Sequence, residues 1–154
     1  MQSDEIRRLS TMVDYLFGRG VSRALPKEGY RFTYSRKSGR LKLVFHAGRL
    51  LATIKPNGSM ALSLYGASIL AKSARFEDSF VRVSDEAAEF VVAGKSVFCK
   101  FVKSAGKDVR PKGEVAVVDE GGRILGVGVA VLNGKHMSQF KSGVAVKVRA
   151  GLKS

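Results

Sequence analysis

The beginning of the chain carries apolar residues at helical spacing, which are Ile6, Leu9, Val13, Leu16 and Phe17. Ser3 and the two acidic residues after it have the composition of an N-cap and a first turn, because acidic side chains favour the positive end of the helix dipole. The pattern stops at Gly18. The sequence therefore predicts one amphipathic helix there, and a short helical stretch at residues 21–25 that Pro26 ends.

After Pro26 the spacing of apolar positions changes to two, which is typical of strands. Four such segments are predicted, at residues 30–35, 41–46, 49–54 and 60–64. Ser38-Gly39 predicts a turn within the first hairpin, and Asn57-Gly58 is the dipeptide best suited to a type I′ turn in the second. Residues 66–72 predict a closing helix. We therefore expect a helix with a small antiparallel sheet.

A new pattern begins at residue 81. Short strands are predicted at residues 82–83, 96–102, 114–118, 123–132 and 144–149. Ser84 caps a predicted helix in which Ala87, Phe90 and Val91 face a core, and Gly94 ends it. A brief helical stretch is expected at residues 136–140. Many short strands with glycine turns predict a small β-barrel, hence an α+β chain with domains at residues 1–80 and 81–154.

Charge points to the kind of partner. Lys and Arg number 27 against 13 acidic residues, which leaves a net charge of +14 and favours a polyanion. Both halves of the chain have more basic than acidic residues, so the positive charge is not confined to a basic tail. The single cysteine cannot form an internal disulfide, and neither a signal peptide nor a membrane-spanning apolar run is recognisable. These features predict a cytoplasmic protein without a membrane partner.

Residues suited to catalysis are few. His46 and His136 have no spacing relation to Cys99 or to a carboxylate, and we expect both histidines to face solvent. Cys99 lies in a predicted strand between two phenylalanines, which indicates a buried structural role. Gly126 and Gly128 lack the third glycine of a dinucleotide loop and instead predict a close crossing of barrel strands. The sequence thus predicts no catalytic residue, no metal site and no cofactor.

Basic residues occur where the strand period exposes them. In residues 144–149 three valines alternate with Ala145, Lys147 and Arg149, so the valines would fill the core and two cations would share the outer face. Lys95 follows the helix-ending Gly94 next to the strand that holds Lys100. If these segments are neighbours, a phosphate backbone can approach them closely. The alternative is a lysine face that only aids solubility.

A series of motifs runs in order through the second half, at residues 83–98, Arg110-Pro111, 114–118, 126–128 and 143–149. Together these motifs resemble a PUA domain, an RNA-binding module. This chain has Pro111-Lys112-Gly113 where the family has Pro-Gly-Asp. The resemblance implies a pseudobarrel whose first helix, glycine loop and last strand contact structured RNA. The corresponding RNA-binding residues here would be Gly94, Lys95, Ser96, Lys100, Gly143, Lys147 and Arg149.

The first half resembles the small domain that precedes PUA in archaeosine tRNA-guanine transglycosylases, through Ser38-Gly39-Arg40, residues 51–58, Leu62 and Gly66-Ala67. The chain then looks like the tRNA-gripping C-terminal part of such an archaeal enzyme, without a counterpart of its catalytic barrel. The resemblance implies a non-catalytic RNA-binding protein for tRNA or another structured RNA, in RNA modification or ribosome-related processes. The alternative is an accessory subunit that delivers tRNA to a separately encoded catalytic transglycosylase. A large exposed apolar patch on residues 1–80 would favour this protein partner.

Overall fold

The helical pattern at the start of the chain becomes α1 (Gln2–Phe17) in the computed structural model, which describes residues 2–154. Leu9, Val13 and Phe17 are its buried stripe, as the spacing predicts. The rings of Phe17 and Phe76 pack in a T-shaped arrangement, with centroids 5.4 Å apart. Ser3 lies inside the helix, so the predicted N-cap is wrong. The stretch before Pro26 is a 3-10 helix, Val21–Ala24.

The first unit, which ends at Phe76, contains the four predicted strands and a second helix. These are β1 (Tyr30–Tyr34), β2 (Leu41–His46), β3 (Arg49–Ile54), β4 (Met60–Leu62) and α2 (Leu64–Leu70). The strands pair antiparallel in chain order. The helix begins earlier than predicted because the Ser63 hydroxyl accepts a hydrogen bond from the Gly66 N–H at 2.9 Å and caps it.

The turn between β3 and β4 differs from the expected type I′ turn. The Gly58 N–H donates to the Lys55 carbonyl at 3.0 Å, so Pro56 and Asn57 stand at the centre of the turn. Gly58 follows with φ +87°, while Asn57 does not adopt a positive φ. Pro56 explains the difference, because its fixed φ suits the first central position of an ordinary turn.

The second unit, Glu77–Ser154, holds the remaining strands and helices. A 3-10 helix (Ala74–Ser79) leads into it. Its elements are β5 (Phe80–Val83), α3 (Asp85–Val92), β6 (Val97–Phe98), a 3-10 turn (Cys99–Phe101), β7 (Val102–Ala105), β8 (Glu114–Val118), β9 (Ile124–Ala130), α4 (Gly134–Met137) and β10 (Val144–Gly151).

The strands of the second unit form one six-stranded sheet in the order β6-β10-β9-β8-β5-β7. Only β5 and β8 run parallel; the other neighbours are antiparallel. The two edge strands, β6 and β7, follow each other in the chain and are separated by one 3-10 turn, so the sheet curls until its edges approach. The α+β fold class and the small barrel are thereby confirmed.

Gly126 and Gly128 lie in β9 where β10 crosses closely. A Cβ on Gly128 would lie 2.1 Å from the Lys147 carbonyl oxygen, and one on Gly126 would lie 2.9 Å from that of Ala150. This confirms the expected close crossing of barrel strands. At the turn before β8, Lys112 has φ +69°, in the left-handed region that favours glycine.

Three expectations for the second unit are wrong. Residues 96–102 are not one strand, because the 3-10 turn at Cys99–Phe101 interrupts them, although Cys99 is buried as expected. Phe90 is exposed on the flank of α3, while Ala87 and Val91 face the core. Ala145 is buried because a β-bulge lets Val144 oppose Phe98 and Val146 oppose Val97, which breaks the alternation.

Candidate nucleic-acid interface

A groove of about 230 Å³ runs along the end of α3, the loop after it and β6. Its walls come from one continuous part of the chain, which reverses direction after the C-terminus of α3. The lining residues are Ala87, Phe90, Lys95, Ser96, Val97, Phe98, Lys100 and Phe101. The structure therefore brings together Lys95, Ser96 and Lys100, three of the residues that the sequence places at an RNA contact.

Gly94 sets the shape of this groove. It has φ +87°, and its N–H donates to the Val91 carbonyl at 2.9 Å while the Lys95 N–H donates to the Phe90 carbonyl at 2.9 Å. These two bonds are the Schellman motif that ends a helix with a left-handed glycine. A Cβ on Gly94 would lie 2.9 Å from the Cβ of Ser154, so that side of the glycine is occupied by protein. Gly94 thus turns the chain so that Lys95 and Ser96 stand beside the helix.

Two exposed aromatic rings and two cations mark the groove. Phe90 and Phe98 are each 48% exposed, an unusual state for large apolar side chains on one small surface. The Lys95 amino nitrogen lies 5.8 Å from the centroid of the Phe90 ring, and that of Lys100 lies 5.0 Å from the centroid of Phe101. Rings of this kind can stack on a base while the cations beside them meet phosphate.

The exposure of both rings differs from the sequence-based expectation. The spacing of apolar positions predicts that Phe90 faces the core of α3, and it names Phe98 only as a neighbour of the buried cysteine. Buried Val97 and Cys99 flank Phe98 on either side. Neighbouring side chains of a strand point to opposite faces. In the strand predicted at residues 96–102, a buried Cys99 therefore indicates an outward Phe98.

β10 extends this surface. The Gly143 carbonyl accepts a hydrogen bond from the Cys99 N–H at 2.9 Å, which holds the start of β10 beside the groove. Gly143 has φ +96° and is exposed. Lys147 is exposed farther along β10, opposite Val129 of β9. The expected outward orientation of Lys147 is confirmed.

Arg149 lies on the same outer face but is engaged by a carboxylate. Its Nη1 donates to Glu114 Oε1 at 3.0 Å, and its Nη2 donates to Glu114 Oε2. The Glu114 side chain is 6% exposed and that of Arg149 is 36% exposed. Any contact between Arg149 and RNA would therefore be made by a guanidinium whose charge is already compensated.

The remaining nucleophilic and basic candidates lie outside this groove or are buried. The hydroxyl of Tyr65 is 2.6 Å from Nδ1 of half-buried His46, so the expected solvent-facing position of His46 is wrong, whereas His136 is exposed as expected. Burial raises the pKa of the Cys99 thiol, which disfavours the reactive thiolate. In residues 2–154 no group of three or more His, Cys, Asp or Glu side chains could hold a metal ion.

Among the described helices, none is long and apolar enough to cross a membrane.

Two family models match the chain and divide it between them. Residues 80–152 match the PUA domain, and residues 7–77 match the patch-forming domain C2 of tRNA-guanine transglycosylase. The resemblance drawn from the sequence is confirmed for both parts.

Similar curated proteins are tRNA-guanine(15) transglycosylases of archaeal species. That of Thermoplasma volcanium is 34% identical over 152 residues, which are 98% of this chain and 24% of the relative. That of Pyrococcus abyssi is 37% identical over 152 residues, 98% of this chain and 26% of the relative. The chain therefore spans about a quarter of the length of the curated relatives it matches.

Solved structures support the fold. A hypothetical protein from Pyrococcus horikoshii has a TM-score of 0.72 at 20% identity, covering 98% of this chain and 92% of the other. A conserved PUA domain protein from Thermoplasma acidophilum has a TM-score of 0.70 at 15% identity, covering 100% and 92%. Both likenesses extend over the two units of the chain.

Proposed function

We propose that this chain, a PUA-domain protein that resembles the C-terminal part of archaeosine tRNA-guanine transglycosylase, binds structured RNA, above all tRNA, and does not itself catalyse a reaction. The groove with exposed Phe90 and Phe98 beside Lys95 and Lys100 is the observation that carries the proposal. Exposed rings cost free energy in water unless a ligand covers them.

The chemistry of the groove suits RNA better than other polyanions. A base or ribose can cover the two rings, and phosphates on either side can meet the lysines. The net charge of +14 attracts any polyanion to the protein. A nucleic acid differs from other polyanions because each of its nucleotides carries a flat base beside a charged phosphate. We assign Gly94, Lys95, Ser96, Lys100, Gly143 and Lys147 to the RNA-binding surface, with Arg149 at its border.

Two observations favour a binding role over catalysis. The matched parts are the PUA domain and domain C2, and together they span about a quarter of the transglycosylase relatives. The only thiol of the chain, that of Cys99, is buried with a raised pKa and is poorly suited to act as a nucleophile. Base exchange in tRNA by the purified chain alone would overturn this part of the proposal.

A second candidate role is that of an accessory tRNA-binding subunit. The observation that favours it is the continuous likeness to one part of a transglycosylase, 34% identity along 98% of the chain. In this role the chain would present tRNA to a separately encoded catalytic transglycosylase. Stimulation of base exchange when the chain is added to such a catalytic subunit would support it.

Titration of a folded tRNA at several salt concentrations tests RNA binding. Affinity falls steeply with salt because each phosphate contact releases condensed counterions. Lys100→Ala lowers the slope of log affinity against log salt by about one, since it removes one such contact. Lys72→Ala, an exposed lysine of the first unit, is the matched control and leaves the slope unchanged. Equal binding to folded tRNA and to unstructured RNA would contradict the preference for structure.

A further inference from the structure

A second and larger groove, of about 630 Å³, lies in the first unit between α1 and the turns of its two β-hairpins. Its volume is in the range of about 300 to 1,000 Å³ that is typical of ligand pockets. It is formed by residues of one unit only, and it shares no lining residue with the groove of the PUA domain. The function proposed above does not use it.

The apolar lining of this groove is aliphatic. It consists of Met12 of α1, Leu41 of β2, Ile54 of β3 and Pro56, which we call the floor of the groove. None of the described residues that line it is aromatic. Bases of single-stranded nucleic acids are held mainly by aromatic side chains, so this floor lacks the surface on which a base would stack. It matches aliphatic side chains instead.

The rim of the groove is cationic. Five basic residues line it, which are Arg8, Lys37, Arg40, Lys42 and Lys55. In the part of the chain that the structure describes, Lys37, Lys42 and Lys55 are not paired with a carboxylate. Like charges this close together repel one another, and a ligand with several carboxylates relieves that repulsion.

A hydrogen bond joins the two hairpin turns that line the groove. Arg40 in the first turn donates from Nη1 to the carbonyl of Pro56 in the second, at 3.0 Å. This bond restrains the two turns relative to each other before any ligand arrives. A preformed groove binds without the cost of ordering two loops.

We propose that this groove binds a protein partner through an acidic segment that also carries aliphatic side chains. The aliphatic side chains cover Met12, Leu41 and Ile54, and the carboxylates of Asp or Glu pair with the basic rim. The two grooves thus differ in chemistry, with aromatic rings and lysines for RNA in one and an aliphatic floor with a basic rim for an acidic peptide in the other. This inference does not depend on RNA binding, because it rests on different residues.

Panning a phage-displayed library of random peptides on the full chain tests the inference. We expect enriched peptides to combine Asp or Glu with Leu, Ile, Val or Met. In fluorescence anisotropy, Lys42→Glu or Lys55→Glu lowers the affinity for such a peptide by about tenfold or more, because the new carboxylate repels the acidic side chains of the peptide. Lys72→Glu makes the same charge change on the first unit outside the groove and is the matched control. Lys55 is on an exposed turn, so its variant also remains informative if Lys42→Glu impairs folding.

Three outcomes would overturn the inference. The first is a failure to enrich acidic and aliphatic peptides, and the second is a peptide affinity that is the same for wild type, Lys42→Glu and Lys55→Glu. The third is displacement of the peptide by tRNA together with loss of tRNA affinity in Lys55→Glu, which would assign the groove to the RNA interface. Failure of RNA binding itself would be seen separately, because wild type would then show no salt-dependent affinity for folded tRNA whatever its affinity for the peptide.

Discussion

Arg149 and Glu114 form a two-pronged ion pair on the outer face of the second unit, across the strand β9 that separates β10 from β8. The Glu114 carboxylate is almost fully covered, whereas Arg149 remains partly exposed. A covered carboxylate depends on its partner, because an unpaired charge at low exposure loses hydration without compensation. Arg149 therefore serves the stability of the barrel, in addition to any role at the RNA surface.

Arg149→Ala is expected to lower the free energy of unfolding by about 1 to 2 kcal/mol, because it removes the two charge-assisted hydrogen bonds that the guanidinium donates to the covered Glu114 carboxylate. Lys147→Ala, two residues earlier on the same face, is the matched control and changes stability little. Denaturant unfolding measures both. Adding Glu114→Gln to Arg149→Ala should recover most of the loss, and a double variant as unstable as the sum of the single ones would contradict a coupled pair.

Phe98→Ala is expected to weaken tRNA binding by about 1 to 3 kcal/mol with little loss of stability, since stacking on an exposed ring contributes to binding and not to the core. Phe140→Ala is the matched control because Phe140 is 49% exposed in the same unit and does not line the groove. Anisotropy titrations of a labelled tRNA compare the two. Equal affinities of the two variants for tRNA would contradict a contact between Phe98 and RNA.

Gly94→Ala is expected to destabilise the second unit by about 1 to 2 kcal/mol through its left-handed φ, and further through the contact with Ser154. Gly143→Ala has a similar positive φ but open space around the new Cβ, so it isolates the backbone strain. Thermal unfolding of both variants separates the two causes. If Gly94→Ala costs no more than Gly143→Ala, the contact with Ser154 adjusts freely.

The Cys99 thiol should react slowly with iodoacetamide in the folded protein. Burial raises its pKa above the ordinary value, so the reactive thiolate is less populated at a given pH than in the unfolded chain. The contribution of this shift to stability is constant below the ordinary thiol pKa and is lost as pH rises through the folded value, since the unfolded chain releases the proton first. Alkylation rates against pH, with and without guanidinium chloride, measure this. Equal rates in both would contradict burial.

Elements that depend on near neighbours in the sequence could be predicted. The alternation in residues 41–46 and 49–54 coincides with β2 and β3, and Leu9, Val13 and Phe17 form the buried stripe of α1 as their spacing requires. The Gly94 stop was equally readable, because a left-handed C-cap is a property of one residue.

Features set by distant partners could not be predicted. The bulge that turns Ala145 inward arises from the register between β10 and β6, which local periodicity does not encode. Glu114 lies 35 residues from Arg149, and Tyr65 lies 19 residues from His46. The sequence predicts that Arg149 and His46 are exposed, and each gains its partner only through tertiary structure. The candidate site was therefore found by its cations and glycine loop. Of its two exposed rings, Phe98 could be inferred from strand alternation beside the buried Cys99, whereas the exposure of Phe90 required the fold.

The position of β10 between β6 and β9 determines when the groove of the second unit can form during synthesis. This strand comes last of the ten in the chain, yet it lies inside the sheet, and the carbonyl just before it holds the Cys99 N–H beside the groove. A ribosome releases α3 and β6 well before β10, so the groove residues are all synthesised before the strand that fixes them. Long-range pairing of this kind slows folding. We therefore expect nascent chains that lack β10 to have the residues of the interface without its geometry.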